Sequence, residues 1–123
     1  MRVYEKYVTE IVEEVTQYIL NGMQCEIEQR LLSNIQHCEN SIKHHSKFSR
    51  GAKQIIKEHR KALVSHKHKL ETFYALISGE RRTVNGIYYY NTLADLVWIY
   101  IKDNHGQYIH KNKIESYFNI KGV

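Results

Sequence analysis

Proline is absent from this 123-residue sequence, glycine occurs six times, cysteine twice and tryptophan once. Without proline, no residue lacks the amide donor that a helix needs, and Pro-rich linkers are excluded. Two cysteines do not make a disulfide scaffold, so the expected setting is a reducing cytoplasm. Long apolar runs are missing too. The longest, Leu93 to Ile101, is broken by Asp95 and is too short to span a bilayer, so no membrane contact is expected. The opening MRVYEKYVTE has acidic residues where a signal peptide needs an apolar run. What is present is 42% apolar and 25% charged, which is too apolar for a disordered chain. The length suits one domain, able to bury about two-thirds of its unfolded surface.

Charge is unevenly distributed. Residues 1–40 hold three basic side chains against seven glutamates, a net of −4. Residues 41–82 hold eleven basic side chains against three acidic ones, a net of +8, and five of the eight histidines lie there as well. The last third adds +1, which closes the total at +5. Such a block points to phosphates or an acidic partner. The plainer alternative is that the acidic first segment packs beside it.

Apolar spacing assigns the elements. Tyr4, Val8, Ile11, Val15 and Tyr18 alternate steps of four and three, a helix with one buried stripe that Asn21-Gly22 ends. Leu31, Ile35, Cys38, Ile42 and His45 mark a second helix from about Gln24 to Ser46. Ala52, Ile56, His59, Leu63, His66, Leu70, Phe73 and Ile77 mark a third, of about 27 residues. A short connection at Ser49-Arg50-Gly51 makes these two antiparallel. With the turn centred on Ser49, Ile42 faces Ile56, Cys38 faces His59, Ile35 faces Leu63 and Leu31 faces His66. Asn85-Gly86 between Arg81–Val84 and Ile87–Tyr90 is a β-hairpin signal. Thr92 and Asp95 resemble a capping box opening a helix to about Asp103, and a last short helix runs from about Lys111 to Phe118. The expected fold is therefore mainly α: an N-terminal helix, a long antiparallel helical hairpin, one short β-hairpin near 81–90 and two short C-terminal helices. It reads as one domain with a helical part (1–78), a hairpin connector (79–92) and a two-helix unit (93–123).

Residues 93–120, LADLVWIYIKDNHGQYIHKNKIESYFNI, resemble the first two helices of a winged-helix domain. In that family a third helix enters the major groove, and no counterpart to it follows here. The resemblance covers about a quarter of the sequence and implies a compact two-helix unit for docking or dimerisation. A second resemblance concerns Arg60-(x5)-His66, which is similar to the R-x4-6-H motif of the HEPN ribonucleases. It implies a metal-independent ribonuclease with Arg60 and His66 as catalytic residues. Lys61 follows the arginine, where that family usually has a small polar side chain.

Other chemistry finds little support. Neither cysteine belongs to a paired zinc spacing, so Cys38 and His59 read as an inward thiol and an inward histidine rather than metal ligands. Asp95, Asp103 and Glu115 are scattered, and no phosphate loop or nucleophile elbow occurs. No metal or cofactor is expected. The binding candidates are Lys53, Lys57, Arg60, Lys61 and Lys67 on one flank of helix three, with His68 beside them. Arg81 and Arg82 precede Tyr88 and Tyr90, which share one strand face and can stack bases or anchor a protein.

The expected function is a small non-enzymatic regulatory protein of the phage or mobile-element inhibitor or accessory type. It would act stoichiometrically on a larger protein or nucleoprotein machine with an acidic surface. The alternatives are a DNA- or RNA-binding regulator and the ribonuclease, and a homodimer is expected. Inward His59 and His66 would weaken the helical hairpin when protonated, below about pH 6.

Overall fold

A computed structural model describes residues 1–48 and 51–120, and its first helix shows how the apolar spacing is used. A 3-10 turn, Glu5–Tyr7, leads into α1, Val8–Leu20, which buries Val8, Ile11, Val12, Val15 and Ile19. Gly22, at φ +66°, closes α1: its N–H donates to the Ile19 carbonyl at 3.0 Å and that of Met23 to the Tyr18 carbonyl at 2.9 Å. These two bonds satisfy carbonyls that a helix end leaves open, and the left-handed conformation suits glycine.

Helices α2, Ile27–Phe48, and α3, Lys53–Ser78, form the antiparallel pair, and α3 has 26 residues. Strands β1, Arg81–Val84, and β2, Ile87–Tyr90, pair antiparallel in the register Arg81↔Tyr90 to Val84↔Ile87. Asn85 (φ 50°) and Gly86 (φ 77°) both take positive φ, as a two-residue turn between right-twisted strands requires. Thr92 then caps α4, Leu93–His105, with the reciprocal Thr92–Asp95 bonds of a capping box, and α5, Lys111–Ser116, follows. The chain is thus mainly helical with one short two-stranded sheet among the described residues, as the spacing predicts.

One main core serves most of these elements. Fully buried Leu93, Val97 and Ile101 of α4 join Ile11 and Val15 of α1, Ile27 and Leu31 of α2, Phe73 and Leu76 of α3 and Ile114 of α5. Beneath it, the buried Glu28 accepts a hydrogen bond from the Tyr74 hydroxyl at 2.7 Å. Among the described residues, none between 36 and 69 belongs to this core. There α2 and α3 share a thinner seam in which Cys38 and Ala52 are buried while Ile42, His45, Ile56, His59 and Leu63 are only half-buried. The molecule therefore has a base and, over about residues 36–64, a two-helix arm.

Two element ends differ from expectation for one shared reason. The Cys25 N–H donates to the Tyr117 carbonyl at 2.9 Å, and Cys25 pairs with Phe118 as an isolated bridge. That bridge draws both backbones away from helical geometry, so α2 starts at Ile27 rather than Gln24 and α5 stops at Ser116 rather than Phe118. Helix α4 continues to His105, two residues past the expected end. Helix α2 ends at Phe48 and α3 begins at Lys53. The His59 ring lies 6.2 Å, centroid to centroid, from both His37 and His45, in the stretch of α2 that holds Cys38. Of the predicted connection, Ser49 and Arg50 lie outside the described residues.

Candidate binding surface

Lys53, Lys57, Arg60, Lys61 and Lys67 are all exposed on α3, and Lys43 and Lys47 are exposed on α2. The α2 pair was not singled out from the sequence, although it lies in the same basic block. His68 is half-buried, stacked on Tyr4 at 4.0 Å between ring centroids with 10° between the planes. A structural ring contact, not solvent, holds that imidazole.

Ion pairing reaches only the root of the basic block among the described residues. Glu14 pairs with Arg30 and, at 3.7 Å, with Lys69; Glu5 pairs with Arg82; Asp95 pairs with Lys111 at 2.7 Å. The acidic first segment thus meets the root of the basic block, as the plainer reading of the charges held. It does not reach the arm. Lys43, Lys47, Lys53, Lys57, Arg60 and Lys61 take part in none of these pairs, and the described arm holds only Glu39 and Glu58 as acids. Like charges along one rod repel each other, and among the arm's described residues only Glu39 and Glu58 offset that repulsion.

The hairpin separates two arginines that are adjacent in sequence, because successive strand side chains point to opposite faces. Arg81 is exposed, with its guanidinium 5.6 Å from the Tyr90 ring centroid, and Tyr88 and Tyr90 are 62% and 59% exposed on the same face. Arg82 turns inward. Its Nε meets the Glu5 carboxylate, its guanidinium lies 5.2 Å from the Tyr89 ring, and Nη1 is buried without a hydrogen bond. Arg81, Tyr88 and Tyr90 can therefore meet a partner, whereas Arg82 holds the hairpin to the N-terminal turn.

Six residues apart on one helix, Arg60 and His66 sit about a third of a turn from each other around the axis. Arg60 is exposed; His66 is half-buried, with its pKa lowered first by burial and then by the nearby charges of Arg30 and Lys69. In the seam, the Nδ1 atom of His45 is buried without a hydrogen bond, and Cys38 is a buried free thiol. Among the described residues no group of three or more His, Cys, Asp or Glu side chains is placed to hold a metal ion, and no helix is long and apolar enough to cross a membrane.

No protein-family model, curated protein or solved structure matches this chain.

Chemically, the described residues of the arm offer a row of solvated ammonium groups and the Arg60 guanidinium, with Ile55 (43% exposed) and Val64 (50% exposed) among them. Such a surface attracts an acidic partner over a Debye length and then has apolar side chains to desolvate at contact. The sequence showed the charge but not its division. Which lysines find carboxylates depends on where Glu5 and Glu14 pack, and that is a tertiary matter.

Proposed function

We propose that this chain is a small non-catalytic binding protein of the cytoplasm. It acts stoichiometrically on a larger protein or nucleoprotein assembly by laying its basic arm on an acidic surface. The observation that carries the reading is where the ion pairs fall: among the described residues every one lies in the base, and none of the arm's cations takes part in one. Unpaired surface charge adds little to folding, and it accelerates and orients association. The exposed apolar residues of the arm favour a protein surface over bare phosphates. A second copy is one such partner, since Glu10 and Glu13 of α1 are exposed and take part in none of the ion pairs.

A nucleic-acid reading draws on the exposed Arg81, Tyr88 and Tyr90 face, which suits base stacking. The two are separated by titrating the protein into labelled duplex DNA, single-stranded DNA and RNA at several salt concentrations and following anisotropy. Salt-labile binding that ignores the type of nucleic acid is expected. Selective binding that survives physiological salt would replace the protein reading with the nucleic-acid one. The same RNA samples are expected to stay intact; cleavage abolished by His66→Ala would instead establish the ribonuclease.

A further inference from the structure

At the root of the arm, its unpaired cations meet an open apolar floor. A groove of about 670 Å³ lies between the 3-10 turn and α3, a size that accommodates a few ligand side chains. Ala62 and Val64 line it beside Tyr7, whose hydroxyl shares a 2.7 Å hydrogen bond with Ser65. Lys61 stands on the α3 wall. Lys6 stands on the other, its ammonium 4.9 Å from the Tyr7 ring centroid, and neither lysine belongs to an ion pair among the described residues.

The N-terminal wall is fastened along α3. The Tyr4 N–H donates to Thr72 Oγ1 at 3.0 Å, the Arg2 N–H donates to Glu71 at 3.1 Å, and the Tyr4 ring stacks on His68. The groove is thus preformed, which lowers the ordering cost of binding. Glu58 lies at its tipward end, accepting from Gln54 at 3.2 Å. A carboxylate there disfavours a continuous run of anions through the groove.

We infer that this groove docks an acidic peptide segment of a partner protein, one with an apolar side chain flanked by carboxylates. The inference rests on the arm being a contact surface, and it names the chemistry the arm's root selects. The apolar side chain covers Val64 and Ala62, while the carboxylates meet Lys6 and Lys61 on opposite walls. A polynucleotide backbone has no branched aliphatic side chain of leucine's size to cover that floor, and its evenly spaced charges would run against Glu58.

The full chain should be titrated by anisotropy with three labelled probes: a peptide alternating glutamate with leucine, a polyglutamate peptide of equal net charge, and an oligothymidylate. The leucine-bearing peptide is expected to bind about tenfold tighter than polyglutamate, the worth of partly burying one aliphatic side chain. Val64→Asp should erase that excess. Val64 is 50% exposed, so the helical circular dichroism should be unchanged; Lys61→Glu, on an exposed side chain, tests the rim independently. Lys53→Glu with Lys57→Glu should weaken both peptides by a common factor and leave their ratio alone. Equal affinity for the two peptides, with that double reversal still weakening both, would overturn the groove and leave the arm standing. Preferential binding of the oligothymidylate, indifferent to Val64→Asp, would overturn the groove and favour the nucleic-acid reading. Failure of all three probes to bind would overturn both.

Discussion

The base and the arm are built from the same two helices, yet they differ in nearly every physical respect. In the base, α2 and α3 present Leu31, Phe73 and Leu76, each at most 1% exposed, to a core shared with α1, α4 and α5. In the arm, beyond the groove that the 3-10 turn shares with its root, the described residues of the same helices pack on each other, and imidazoles occupy positions that leucine or isoleucine would fill in a tighter seam. Charge differs as well: among the described residues every ion pair lies in the base and none in the arm. A helical pair with one thin seam buries too little apolar surface to be stable alone, so the arm is ordered because it grows out of the base. On the proposed reading, stability and recognition fall to different lengths of one hairpin.

The widest gap should appear when each seam loses one side chain. Phe73→Ala removes a fully buried ring from the shared core, and a loss of about 3–5 kcal/mol is expected in urea unfolding. That is a large share of what a domain of this size has to lose. Ile56→Ala, in the half-exposed arm seam, should lose less than about half of that, because its site is already partly open to water. Hydrogen exchange should show the same order, with arm amides opening at lower free energy than those of α1 and α4. Equal losses at the two positions would mean that the arm is as well supported as the base.

Most of the fold was legible in the sequence, and the illegible part has identifiable causes. The 4-3 spacing from Ala52 to Ile77 marks α3 within a residue, Asn85-Gly86 fixes the hairpin register, and Thr92 with Asp95 sets the start of α4. Each of these signals is local, carried by residues within a few positions of the feature. What escaped was long-range. The Cys25–Phe118 bridge joins residues far apart in sequence and trims two helices. Likewise, helical periodicity gives each helix its buried face but not its last turn, so α2 runs to Phe48 rather than to Ser46. The candidate surface fared similarly. Lys53, Lys57, Arg60, Lys61 and Lys67 are exposed as the stripe implied, while Arg82 turned inward because alternation along a strand sends neighbours to opposite faces. Nothing local in the sequence announces that Glu5 and Glu14 neutralise only the root of the basic block.

pH should sharpen the comparison from both sides. In the base, Tyr74 is pushed up to about 12 by burial, with the hydrogen bond to Glu28 and the charge of Glu28 adding to it. The neutral phenol is therefore favoured in the fold. Its contribution is complete below pH 10 and is lost as pH rises towards 12. Tyr74→Phe should cost about 1–3 kcal/mol at neutral pH and flatten the alkaline limb of a melting-temperature profile. At the arm's root, burial lowers the pKa of His66, with Arg30 and Lys69 adding to the shift. The unfolded chain then binds the proton more readily. The contribution of His66 is complete above its ordinary 6.5 and fades as pH falls below it. His66→Leu should reduce the acid-side decline. A melting temperature that stays flat from pH 7 to pH 5 in the unaltered chain would remove that role.

The smallest expected effects on stability separate the two kinds of charge. Glu14→Gln breaks the pairs with Arg30 and Lys69, and because these are partly solvated it should cost no more than about 1 kcal/mol. Lys57→Gln breaks no pair, so its effect should stay within about 0.5 kcal/mol, and relief of repulsion along the arm makes a slight gain the expected sign. Binding should reverse that order. Lys57→Gln removes a charge aimed at the partner and should slow association most at low salt, whereas Glu14→Gln, away from the arm, should leave association close to unchanged. If the Lys57 variant folded and bound like the parent, the unpaired charge of the arm would have no role in recognition. If it were destabilised instead, the arm's cations would have partners within the fold, and the contrast between base and arm would no longer hold.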